Sequence, residues 1–83
     1  MKVEFSAHAL ERMEARGIIK DDVIKVLSGH DSVNKQDAET NVYSKLLIRN
    51  NKRYLYRVFV NELKVPPLII TVYKTSKIEK YGY

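Results

Sequence analysis

The chain has 83 residues, 45% of them hydrophobic and 30% charged, with a formal net charge of +5 and no cysteine. A chain this short has room for one domain spanning residues 1–83, with a thin core that buries about 60% of the surface exposed when unfolded. The absence of cysteine removes disulfides, thiolate metal sites and thiol nucleophiles and points to the cytoplasm, while no apolar run resembles a signal peptide or approaches the roughly 20 residues of a membrane span.

The first predicted element is a helix over residues 7–16. Ser6 is a suitable N-cap, Ala7 to Arg16 are good or neutral helix formers, and Gly17 follows where a helix ends most cheaply in the left-handed conformation. Leu10 and Met13, joined by Ala9, are expected to form its buried stripe. A second helix is expected from Lys20-Asp21-Asp22, whose carboxylates suit a helix N-terminus, through Val23, Ile24, Val26 and Leu27 to Gly29. Ile18 and Ile19 fall in the connection.

From His30 the pattern changes to strands. Residues 31–35 give one weakly marked strand, and residues 42–49 and 53–60 flank Asn50-Asn51-Lys52, a hairpin signal because asparagine tolerates positive φ. Val65-Pro66-Pro67 breaks the chain before the nearly continuous apolar run of residues 68–73, which reads as a central strand. The polar and aromatic tail after Ser76 suits at most one helical turn. The expected class is therefore α+β, two N-terminal helices packed on a mainly antiparallel four-stranded sheet, with Leu10, Met13, Val23, Leu27, Ile70 and Val72 buried between the layers.

Charge is distributed unevenly along these elements. Residues 1–29 balance five basic side chains against five acidic ones, whereas from Thr40 onward nine basic residues face only Glu62 and Glu79. Such a surface suits a polyanion, and equally a basic face kept for solubility.

Two groups of residues carry candidate chemistry. His8, Arg12 and Arg16 recur at i, i+4 and i+8 and share one face of the first helix. An imidazole one turn from a guanidinium is equipment for phosphate chemistry, the first as a proton carrier and the second as a planar fork for phosphate oxygens; the same arginines could instead pair with neighbouring glutamates. On the strands, period-two alternation aligns Arg53, Leu55, Arg57 and Phe59 on one face, and Ile69, Thr71 and Tyr73 on one face of the last strand. Arg57 with Thr71 or Tyr73 would form a cationic, hydroxyl-bearing patch able to hold a phosphate or stack a base, unless the tyrosine is a half-buried packing residue. No metal-ligand spacing, nucleophile elbow or glycine-rich phosphate loop is present, so neither a metal nor another cofactor is expected.

The run Phe5-Ser6-x-His8-Ala9-x-x-Arg12-Met13-x-x-Arg16-Gly17-Ile18, the Asp-Asp-Val helix start, the strand Tyr54-x-Tyr56-Arg57-Val58 and the segment Ile69-Ile70-Thr71-Val72-Tyr73-Lys74-Thr75-Ser76-Lys77 together resemble the family known as domain of unknown function 4258, within the barnase/EndoU/colicin/RelE-like ribonuclease superfamily. A serine or threonine is usual at the start of the second helix, where this chain has Lys20. The resemblance implies a first helix packed beside a curved antiparallel sheet, with His8 and Arg12 on the helix and Arg57, Thr71 or Tyr73 on the sheet facing a shared RNA cleft; in the cleavage expected there, His8, Arg12, Arg57 and Tyr73 are the catalytic groups.

The expected function is a metal-independent endoribonuclease or toxin-like RNA-cleaving domain, with Arg16, Arg53, Thr71, Lys74 and Lys77 as further RNA-binding residues. The alternative is a non-catalytic RNA- or protein-binding module. Expected partners are RNA or the ribosome, or an antitoxin-like protein added at a strand edge.

Overall fold

The computed structural model describes residues 2–83. Its elements run β1 (Glu4–Phe5), α1 (Ala7–Arg16), α2 (Lys20–Ser28), β2 (Ser32–Lys35), β3 (Thr40–Arg49), β4 (Lys52–Asn61) and β5 (Leu68–Thr75), followed by a 3₁₀ turn at Ile78–Tyr81. The sheet has five strands in the order β1-β5-β4-β3-β2. This corrects the expected count of four strands, while the sheet is mainly antiparallel as expected: β1 pairs with β5 in parallel through Glu4 opposite Leu68 and Phe5 opposite Ile69, and the other pairings are antiparallel. Two residues are too few to show a periodicity, which is why the sequence concealed this strand.

Local chemistry accounts for the helix boundaries. Ser6 Oγ accepts the Ala9 N–H at 3.0 Å and donates to the Ile70 carbonyl at 2.8 Å, so one hydroxyl caps α1 and ties it to β5. Gly17 ends α1 in the left-handed conformation at φ 66°. Helix α2 starts at Lys20 without a hydroxyl cap; instead the Asp22 carboxylate accepts the Ile19 N–H. The β3–β4 turn places Asn50 and Asn51 at φ 53° and 62°, the left-handed pair that a tight hairpin requires.

Both helices pack on one face of the sheet. The core gathers Ala9, Met13, Ile18, Val23, Val26, Leu27, Tyr56, Val58, Val60, Ile69 and Val72. Met13, Val23, Leu27 and Val72 are buried as expected, but Leu10 and Ile70 are not. Leu10 is 44% exposed. At about 100° per residue, the buried line of α1 runs through Ala9 and Met13, and Leu10 lies about 80° to one side of it. Ile70 is only half-buried because β5 carries a bulge. Phe59 faces Thr71 and Val60 faces Ile69, leaving Ile70 unpaired between them, so Ile69 takes the core position instead. The expected common face of Ile69, Thr71 and Tyr73 is corrected accordingly: Thr71 and Tyr73 share a face, while Ile69 joins Val72 on the helix side.

Among the described residues, no helix is long and apolar enough to cross a membrane.

Candidate nucleic-acid interface

The site forms where α1 passes the edge of β5. β1 covers that edge only at Leu68 and Ile69, and α1 runs beside the remainder, held by Ser6 at Ile70 and by Arg16, whose guanidinium donates to the Lys74 carbonyl at 2.9 Å. Arg12 lies about 80° from the buried line, on the flank opposite Leu10. It lines a cleft of about 300 Å³ together with Arg57, Phe59, Thr71, Val72, Tyr73 and Tyr81.

The sheet supplies the cleft floor through register. Arg57 on β4 stands directly opposite Tyr73 on β5, and Phe59 opposite Thr71, which brings the members of each pair within about 5 Å at their Cβ atoms. The Arg57 guanidinium lies 5.4 Å from the Phe59 ring centroid and 4.8 Å from that of Tyr81. A guanidinium held over an aromatic ring keeps its N–H donors at its edge, so these contacts orient Arg57 without consuming its hydrogen-bonding capacity.

Four residues expected at a site therefore meet in one cleft: Arg12, Arg57, Thr71 and Tyr73. His8 does not line it. One turn before Arg12 on the same helix, it sits about 40° further from the buried line and is exposed. Arg16 is engaged with the Lys74 carbonyl, Lys74 is on the helix side of the sheet over the Tyr54 ring, Arg53 is exposed near the hairpin end of β4, and Lys77 follows β5, where its N–H donates to Thr75 Oγ1. Phe59 and Tyr81 are site residues that sequence reasoning missed. Alternation already put Phe59 on the Arg57 face; for Tyr81 no local pattern indicates that the tail folds back onto the sheet.

Two guanidinium groups, three hydroxyl-bearing side chains and three aromatic rings, two of them tyrosines counted in both sets, can bind a phosphate by charge-assisted hydrogen bonds and a base by stacking in one concavity. Among the described residues, no group of three or more His, Cys, Asp or Glu is placed to hold a metal ion.

The fold is thus an α+β layer pair with a cationic, aromatic cleft on the sheet face opposite the helices. The family model for the domain of unknown function DUF4258 matches residues 5–74, and the chain belongs to that family. Arg12, Arg57, Phe59, Thr71 and Tyr73 lie inside the matched region and Tyr81 lies outside it. No curated protein and no solved structure matches the chain.

Proposed function

We propose that the chain binds single-stranded RNA in the Arg12–Arg57 cleft and cleaves it without a metal, as an endoribonuclease of the barnase and RelE-like kind. The observation that carries this reading is the convergence of Arg12 from α1 with Arg57, Thr71 and Tyr73 from the sheet on one cleft. In the reaction, a base removes the proton from a ribose 2′-hydroxyl, that oxygen attacks the adjacent phosphorus, and the bond to the 5′-oxygen breaks as that oxygen takes up a proton. The products are a 2′,3′-cyclic phosphate and a 5′-hydroxyl. Arg12 and Arg57 stabilise the charge that accumulates on the phosphoryl oxygens. Tyr73, opposite Arg57, and His8, one turn from Arg12, are the proton carriers.

One observation favours the second reading, a binding module without chemistry: His8 stands outside the cleft lining. Cleavage separates the two. Chelator-treated protein should cut unstructured RNA to 2′,3′-cyclic ends, and a 2′-deoxy nucleotide at the scissile position should abolish the reaction. His8→Ala should slow it about 10²-fold or more, with little change in melting temperature because His8 is exposed; Arg12→Ala should also depress turnover. If every RNA survives while affinity is retained by the parent and lost in Arg57→Ala, the binding module stands and the enzyme does not. Absence of binding at low ionic strength removes both.

A further inference from the structure

A second cationic and aromatic cluster lies on the other face of the sheet, at its hairpin end. Lys74 on β5 places its ammonium 4.5 Å from the Tyr54 ring centroid and 5.6 Å from that of Tyr56. Lys52, at the start of β4, lies 5.8 Å from the same Tyr54 ring. Arg16 joins them through the Lys74 carbonyl, which takes one of its five N–H donors and leaves the rest.

The cations of this cluster have no carboxylate partner among the described residues, whereas both cations of the adjacent strand β3 do. The two ion pairs among the described residues are Lys45 with Asp31 and Arg49 with Asp22. Two ammonium groups gathered on one tyrosine ring repel each other, and the ring quadrupole offsets only part of that cost. An anion seated between them would remove the repulsion.

The cluster is also continuous with the cleft. Arg12 and Arg16 are one turn apart on α1, about 6 Å along its axis. Arg12 points to the cleft face, and Arg16 reaches the strand edge beside Lys74. A chain of cations thus leads from Arg57 and Arg12, around the edge of β5, to Arg16, Lys74 and Lys52.

From this path we infer a second subsite: a single RNA strand seated in the cleft leaves across the C-terminal turn of α1, and the following nucleotides rest on Tyr54 between Lys52 and Lys74. The inference rests on the RNA-binding reading of the cleft and extends it to a ligand of several nucleotides, within the range of about 4–16 that a single-strand binding surface takes. It requires no cleavage, so 2′-O-methyl oligonucleotides are suitable ligands.

The test compares an unstructured 2′-O-methyl trinucleotide with a dodecanucleotide, both fluorescently labelled. Lys52→Gln/Lys74→Gln should weaken the dodecanucleotide about tenfold and leave the trinucleotide unchanged. The slope of log K against log salt for the longer strand should fall by about 1.4, two cations at about 0.7 each. Tyr54→Leu should weaken the longer strand about five- to tenfold through lost stacking, and Tyr54→Phe should bind as the parent does. Lys35→Gln/Lys64→Gln makes the same change in net charge at the far end of the sheet and should leave binding of both oligonucleotides near that of the parent. Equal loss in the two double variants, equal loss for both oligonucleotides, or unchanged dodecanucleotide binding in Lys52→Gln/Lys74→Gln would each overturn the second subsite. In those outcomes the cleft survives so long as Arg57→Ala weakens the trinucleotide; a parent protein that binds neither oligonucleotide overturns the cleft and the subsite together.

Discussion

Removal of either partner of the Asp22–Arg49 pair should destabilise the fold, and the more exposed partner should cost at least as much. Asp22 is only 3% exposed, and its carboxylate accepts both from Arg49 and from the Ile19 N–H that precedes α2. The Arg49 side chain is 32% exposed, and the pair holds its guanidinium above the usual arginine range, chiefly through the hydrogen bond to Asp22. Asp22→Ala removes a capping acceptor, about 1 kcal/mol, and a charge-assisted hydrogen bond of about 1.5–3 kcal/mol. Rehydration of the freed guanidinium returns part of the latter, for a net loss of about 2–3 kcal/mol. Arg49→Ala leaves a carboxylate buried without its cation, which costs about 3–5 kcal/mol in a closed interior. The partial exposure of Arg49 brings the expectation to the lower end, about 3 kcal/mol. For a chain of this size, 1 kcal/mol moves the melting temperature by about 4–8 °C, so each effect is large in a thermal or urea melt. The double variant should lose less than the sum of the two. An Arg49→Ala loss below about 1 kcal/mol, or strict additivity, would refute the reasoning.

Two further predictions concern phenols, one buried and one half-buried. The Tyr56 hydroxyl is enclosed without a hydrogen-bond partner, and burial, followed by the nearby Asp22, raises its pKa; Tyr56→Phe should be neutral or stabilise by up to about 1 kcal/mol, and a loss above 1 kcal/mol in a denaturant melt would mean that the hydroxyl is satisfied. Tyr43 is pushed from 10.0 up to about 12, first by burial and then by its hydrogen bond to Glu62. The neutral phenol is thus favoured in the folded state, and its contribution is complete below pH 10 and lost as the pH rises toward 12. The stability difference between the parent and Tyr43→Phe should therefore fall across that interval, and a difference that stays flat from pH 9 to 12 would count against it.

The elements with a local signature were legible in the sequence. Ser6 and Gly17 bound α1, Asp21-Asp22 and Gly29 bound α2, and Asn50-Asn51 turn the long hairpin as their side chains suggest. The misses have non-local causes. β1 exists only because Pro67 and Ile69 present carbonyls to Glu4 and Ser6, and the bulge at Ile70 is set by pairing with Phe59 and Val60 rather than by a glycine or proline at the position. Asp22 reads as a helix-dipole residue, yet its larger role depends on Arg49, 27 residues away. At the candidate site, alternation placed Arg57 and Phe59 on one strand face and Thr71 and Tyr73 on one face of another, and the hairpin signal did not extend to their cross-strand pairing. Helical spacing grouped His8 with Arg12, but spacing alone does not say where the edge of a neighbouring strand cuts across that face.

That edge explains why the cleft exists. A longer β1 would pair with β5 along its whole length, satisfy its backbone groups and hold α1 away from the sheet. Because β1 stops at Phe5, the chain turns at Ser6 directly into a helix whose cap hydroxyl donates to the first carbonyl beyond the β1 pairing, that of Ile70. Arg16 makes the corresponding contact at Lys74, one strand segment further on. With both ends fixed and Ala9 and Met13 turned into the core, the rotation of α1 is determined and Arg12 has no position except the flank over Thr71 and Tyr73. The bulge contributes as well. By moving Ile69 into the core it takes an isoleucine off the face that carries Thr71 and Tyr73, so the cleft side of β5 is left to the two hydroxyl-bearing residues. The truncated parallel strand is thus the feature that brings a helix-borne guanidinium beside strand-borne hydroxyls, and the bulge clears an apolar side chain from the same surface.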